Sequence, residues 1–128
     1  ADKYISLIAD EIESAVPKKE AETGKRDLRT RKVPNMIKSY FCDMRKIIEQ
    51  CGLCLEIGKK TYIVVDQSAY VGVIVPTDLL LAYLAEQVGF KVNSITECRK
   101  SRTSAQQLSR FPYLKNILRE SIVEIEKV

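Results

Sequence analysis

Thr61-Tyr62-Ile63-Val64-Val65-Asp66-Gln67-Ser68-Ala69-Tyr70 is the stretch on which the fold turns. A run of β-branched and aromatic residues, opened by Gly58-Lys59-Lys60 and closed by Asp66-Gln67-Ser68, predicts a short strand over Thr61 to Val65. Its nearly unbroken apolarity predicts burial on both faces, as in a parallel pair. Downstream, Thr77 and Asp78 place N-cap chemistry just after Pro76, and Leu79, Leu80, Tyr83, Leu84 and Val88 form an apolar helical face that stops at Gly89. Phe90 to Cys98 alternates through Phe90, Val92 and Ile95 as a second strand. A helix crossing from strand to strand predicts a parallel pair in an α/β sheet with a right-handed connection. Ser121 to Glu126, with Ile122, Val123 and Ile125, is a further strand expected to return antiparallel.

Upstream, Met36, Ile37, Tyr40, Phe41, Met44, Ile47, Ile48 and Cys51 recur at steps of three and four, an amphipathic helix closed by Gly52. Tyr4 to Val16 predicts a first helix ending before Pro17. From Lys18 to Lys32 charge replaces apolar residues, as in a solvated connection; its Lys25-Arg26, Arg29 and Arg31-Lys32 are either a wet loop or a phosphate contact. The expected organisation is an N-terminal helix and basic linker over 1–35 and an α/β unit over 36–128.

A chain of 128 residues fits one compact unit that buries roughly two-thirds of its unfolded surface. With 45% hydrophobic and 30% charged residues it has the composition of a globular protein, and no apolar run reaches the roughly 20 residues of a membrane span. Ala1-Asp2-Lys3-Tyr4 shows no charged-then-apolar leader, so a cytoplasmic location and an internal or trimmed start are expected. Cys42, Cys51, Cys54 and Cys98 are then reduced thiols. Cys51-Gly52-Leu53-Cys54 has knuckle spacing but lacks two further ligands, so no metal site is expected. With no histidine in the chain, Cys-His nucleophiles and histidine bases are excluded within it. The net charge of +4 favours polyanions without identifying one.

Several pieces, in this order and spacing, resemble site-specific DNA methylases that modify the exocyclic amino group of cytosine or adenine. They are Met36-Ile37-x-x-Tyr40-Phe41-x-Asp43-Met44, Tyr62 to Tyr70 with Gly72, Pro76-x-Asp78-Leu79-Leu80, Ala85-Glu86-x-x-Gly89-Phe90, Arg99-x-x-Arg102-Thr103-Ser104-x-Gln106-Gln107 and Leu118-Arg119-Glu120-Ser121-Ile122. The resemblance covers about residues 36 to 127. It implies a partial Rossmann-like methyltransferase fold in which Thr61 to Val65, Phe90 to Cys98 and Ser121 to Glu126 are strands five, six and seven with flanking helices. The family's glycine-rich turn for S-adenosylmethionine and its Pro-Pro-Tyr motif have no counterpart here: Gly24, Gly52, Gly58, Gly72 and Gly89 make no G-x-G, and no two prolines are adjacent. The sequence also departs from the family at Asp66-Gln67-Ser68, where relatives tend to carry Gly-Asn-Ser, and in the loop before Gly58.

Ligands of open α/β sheets bind beyond the strand carboxyl ends, so Asp66, Gln67, Ser68 and Gly72 are the candidate substrate cleft; the alternative is a turn that satisfies its own backbone. Arg99, Lys100, Arg102, Gln106 and Arg110 are the candidate DNA contacts, since guanidinium and ammonium groups hold phosphate and Gln also reads adenine edges; the alternative is a solvated hairpin loop. Phe111 to Leu114 is expected to pack that loop on the sheet. No residue is a catalytic candidate, because amino-group methylation in this family resembles direct attack on the methyl donor. The expectation is a fragment or subunit of an S-adenosylmethionine-dependent DNA methyltransferase, inactive and without cofactor alone. Its partners would be DNA and the missing N-terminal half or a complementing subunit, and an open sheet edge makes a homodimer a further expectation. The alternatives are a non-catalytic nucleic-acid-binding or assembly module and an RNA methyltransferase fragment.

Overall fold

In the computed structural model, which describes Ala1–Val128, α1 (Asp2–Thr23) buries Ile5, Ala9, Ile12 and Val16, one stripe at steps of four, three and four. The helix does not stop before Pro17 as expected. Pro17 leaves the Glu13 carbonyl without its helical donor, a cost of about 3 kcal/mol in a helix interior. Contacts from the following segment offset it. The Gly24 N–H donates to the Glu20 carbonyl at 2.9 Å, the Asp27 N–H donates to the Glu20 carboxylate at 2.6 Å, and ion pairs join Lys19 to Asp27 and Arg31 to Glu20. The expected solvated connection is therefore largely structured. It contains α2 (Leu28–Arg31), whose N-cap Asp27 accepts from the Thr30 N–H at 3.0 Å and the Thr30 hydroxyl at 2.7 Å.

α3 (Val33–Cys54) follows, burying Val33, Pro34, Ile37, Phe41 and Ile48 against α1. It outruns Gly52, which matters for packing instead: a Cβ there would meet the Phe90 ring at 3.2 Å.

β1 (Lys60–Asp66) leads into a hairpin of β2 (Ser68–Tyr70) and β3 (Val73–Val75). Its two-residue turn has φ of 51° at Val71 and 77° at Gly72, the double positive φ that keeps a hairpin's twist. The expected loop after the first strand is thus partly a second, two-stranded sheet.

α4 (Thr77–Gln87) buries Leu80, Leu81, Ala82, Leu84 and Ala85, while Leu79 and Tyr83 of the expected apolar face are 49% and 43% exposed. The helix is apolar nearly all round, so periodicity could not choose its buried face; contact with the sheet and with α3 did. Pro76, not Thr77 or Asp78, is the N-cap residue, and no side chain caps it.

β4 (Phe90–Lys100) and β5 (Arg119–Lys127) complete a three-stranded sheet in the order β1-β5-β4. β5 is antiparallel to both neighbours, with Ile63 opposite Val123 on one side and Ile95 opposite Val123 on the other. The expected parallel pair is corrected accordingly: β1 and β4 point the same way but do not touch, because β5 lies between them. The antiparallel return of the last strand is as expected.

Ile12, Ile37, Phe41, Ile48, Leu81, Leu84, Val123 and Ile125 share one buried cluster, each contributing about 2 kcal/mol through lost apolar exposure. This core covers one sheet face. On the other, Tyr62 and Val64 are 58% and 60% exposed, and Glu124 meets Lys60 at 3.7 Å and the Asn93 amide at 2.9 Å. β1 is therefore an outer strand, open on one face and one edge, and not the doubly covered strand its apolarity suggested. No helix is long and apolar enough to cross a membrane.

Candidate functional site

β1 ends at Asp66, and the chain turns there between α3 and the β2-β3 hairpin, leaving a cleft of about 270 Å³. Met36, Tyr40 and Phe41 form its α3 wall, Asp66, Ser68 and Tyr70 the opposite one. Tyr40 lies edge-on to Phe41 at 5.0 Å between centroids, and burial pushes its phenol pKa up. The Asp66 carboxylate accepts from the Ser101 hydroxyl at 2.6 Å, tying the end of β1 to the segment after β4. A cleft with one carboxylate, one serine hydroxyl and aromatic faces can stack a planar ring and hydrogen-bond its edge.

The four candidate cleft residues separate. Asp66 and Ser68 line this space. Gln67 turns into the protein, where its amide donates to Asp78 at 2.9 Å. Gly72 lies in the hairpin turn beneath Phe111 and Tyr113, and the Tyr113 hydroxyl donates to its carbonyl. Met36 and Tyr40 were read in the sequence as helix-face residues and as part of a methylase-like motif, without a place in the cleft. Their 47% and 40% exposure is what marks them as cleft wall.

Asp78 organises the base of the site. It has no solvent exposure and accepts from Gln67 and the Leu79 N–H on one oxygen, each at 2.9 Å. On the other it accepts from Arg119 Nε at 2.9 Å and Ser121 Oγ at 2.8 Å. Burial is the largest single influence on its carboxyl and pushes the pKa up, but the donors from Gln67, Ser121, Arg119 and Leu79 together outweigh it and hold the group below the usual carboxylate range. Asp78 therefore locks the end of β1 to the starts of α4 and β5.

The five candidate DNA contacts divide into two groups. Arg99 pairs with Glu120 at 3.3 Å and Lys100 with Glu97 at 2.7 Å on the far end of β4, and Arg102 stands exposed just beyond. Gln106 and Arg110 lie on α5 (Ala105–Arg110), a short helix inside the expected loop. Its signal was in the sequence: Ser104 is an N-cap residue three before Gln107, and the Ser104 hydroxyl accepts from the Gln107 N–H at 3.3 Å. The following Pro112–Leu114 turn packs onto the hairpin, not the three-stranded sheet, with Leu114 and Leu118 buried against Ala69. Gln107 secures the same contact, its amide donating to the Ala69 carbonyl at 2.8 Å.

The fold and cleft define a mixed α/β unit with an open sheet edge and a small, aromatic-walled pocket beyond the strand end. No family model and no solved structure matches the chain. Among curated proteins, it is 36% identical over 76 residues to the type II methyltransferase M.AvaI of Nostoc sp., a match covering 59% of this chain and 16% of that protein. The M.AvaI protein of Anabaena variabilis matches equally. The type II methyltransferase M.BsoBI of Geobacillus stearothermophilus is 30% identical over 121 residues, covering 94% of this chain and 23% of that protein. The homologues are thus type II methyltransferases, which bears out the resemblance to site-specific DNA methylases, and the chain spans less than a quarter of their length.

Proposed function

We propose that the chain supplies strands five, six and seven of a Rossmann-like, S-adenosylmethionine-dependent DNA methyltransferase acting on an exocyclic amino group. In that reading β1, β4 and β5 are those strands, Asp66 and Ser68 belong to the wall of the substrate cleft, and the basic residues between β4 and β5 contact DNA. The observation that carries the reading is that 94% of the chain aligns with a type II methyltransferase of which it spans 23%.

In this reading the cofactor is held outside this chain, and the placement of its glycines supports that. Of its glycines with positive φ, Gly24 follows α1, Gly58 precedes β1, Gly72 turns a hairpin and Gly89 joins α4 to β4. None follows a strand and opens a helix, the place where a glycine turn lets backbone approach a nucleotide cofactor. Cofactor binding and base capture then rest on a further part of the enzyme, in the same polypeptide or in a complementing subunit, docked along the unpaired edge of β1.

The test is transfer of a labelled methyl group from S-adenosylmethionine to duplex DNA. It would be run with the chain alone and with the remainder of a type II methyltransferase from which the matching segment has been removed. The expected result is no transfer by either part and transfer by the mixture. Robust transfer by the chain alone, or none by the mixture, overturns the proposal.

A further inference from the structure

The linker after α1 and the helix α5, far apart in sequence, face each other across an open cleft of about 660 Å³. Lys25 and Arg26 line one side, Gln106 and Arg110 the other, with Val71 and Phe111 between them. The linker is held in place by its own ion pairs. Lys19 with Asp27 and Arg31 with Glu20 neutralise its acidic groups, and neither Lys25 nor Arg26 makes an ion pair, Arg26 acting on Glu20 only at longer range. Asp27 is held well below the usual carboxylate range by hydrogen bonds from Lys19 and Thr30, so this arrangement stays charged at neutral pH.

Opposite, Arg110 stacks over Phe111 at 5.4 Å, and one of its terminal nitrogens is paired with Glu22. Its other terminal nitrogen is buried with no acceptor. Glu22 is 67% exposed and belongs to the same end of α1, so it can swing away from Arg110 without disturbing the core. The Gln106 side chain is exposed and makes no hydrogen bond within the chain. Uncommitted cations, an amide and an arginine short of an acceptor, arranged along an open trough, match a run of phosphate oxygens better than an enclosed small ligand.

We infer that this cleft is a phosphodiester-binding groove for duplex DNA, formed jointly by Lys25, Arg26, Gln106 and Arg110, with Glu22 occupying Arg110 until a phosphate displaces it. The inference rests on the methyltransferase reading above and extends its DNA surface from the β4-β5 connection to the N-terminal linker.

Binding of a random-sequence duplex to the full chain, followed by fluorescence anisotropy across a salt series, tests it. The K25Q/R26Q variant is expected to lose at least about tenfold in affinity and to flatten the log-log salt slope by about 2, since each phosphate contact contributes about 0.9. K59Q/K91Q removes the same charge from exposed lysines outside the cleft and is expected to lose less than about threefold, while E22Q is expected to gain about threefold. If wild type binds DNA and K25Q/R26Q weakens it no more than K59Q/K91Q, the groove is overturned and the DNA reading stands. If wild type does not bind the duplex, the groove is overturned, while the methyltransferase reading is decided separately by methyl transfer in the complemented mixture. In that case tripolyphosphate shifting the Gln106 side-chain amide resonances would replace the polynucleotide by a small-anion site.

Discussion

A carboxylate with no solvent exposure keeps its charge only where donors replace its water, and Asp78 has four of them. Asp78→Asn keeps one acceptor oxygen and turns the other into an NH2 donor, so one of the two donor pairs, Arg119 with Ser121 or Gln67 with Leu79, loses its acceptor, and the variant is expected to cost about 3 kcal/mol in urea unfolding at neutral pH. Because the folded-state pKa of Asp78 is lowered, its contribution is complete above the unfolded value of about 4 and is lost as pH falls below it. The variant should therefore show a shallower acid loss of stability than wild type, and an identical profile would remove Asp78 from the acid transition. At the hairpin turn, a Cβ on Gly72 would stand 2.6 Å from the Phe111 ring and 2.7 Å from the Tyr113 oxygen, at a φ of 77°. Gly72→Ala is expected to lose about 3 kcal/mol by the same measurement. Its neighbour Val71 is a β-branched residue at φ 51° that also packs against the main core, so Val71→Asn, which relieves the conformation and gives up that packing, should change stability by less than about 1 kcal/mol. Of the candidate cleft residues, Asp66 and Ser68 line the pocket beyond the strand end, where the end of the predicted strand put them. Gln67 is drawn inward by Asp78, a contact that no local pattern encodes.

Among the elements, α1 continues through a proline that local rules would use to end it. Exposed Pro17 adds no buried contact, so Pro17→Ala is expected to raise stability by about 1 to 3 kcal/mol, with α1 keeping its length in amide exchange. A loss of stability would mean that the tertiary contacts need the proline's geometry. The outer strand β1 poses the opposite problem, since exposed Tyr62 and Val64 beside an unpaired edge invite a partner. Val64→Lys should leave the melting temperature of the chain within about 2 °C and abolish complementation in the methyl-transfer mixture; unimpaired complementation would place the docking edge elsewhere. The strands and main helices were legible because their apolar periods are strong. The hairpin β2-β3 and the helix α5 were not, since elements this short carry little periodicity and show themselves only through turn and cap residues.

For the whole molecule, the proposed function seats a further methyltransferase part on the open edge of β1, and the competing occupant is the same edge of a second copy. Sedimentation of the chain alone separates them: a dimer abolished by Val64→Lys would establish edge-to-edge pairing, whereas a monomer at all concentrations removes the homodimer. By itself the sequence determined the α/β class, the three sheet strands, the likeness to methylases and the concentration of basic groups between β4 and β5. Each is written in local periodicity, residue type or the order of short motifs along the chain. Tertiary structure alone decided that β5 separates β1 from β4, which face of α4 is buried, and that Asp78 takes Gln67 away from the cleft. It also brought Lys25 and Arg26 opposite Gln106 and Arg110. These depend on contacts between residues distant in sequence, where packing and hydrogen-bond satisfaction select one arrangement from several that local preferences allow equally.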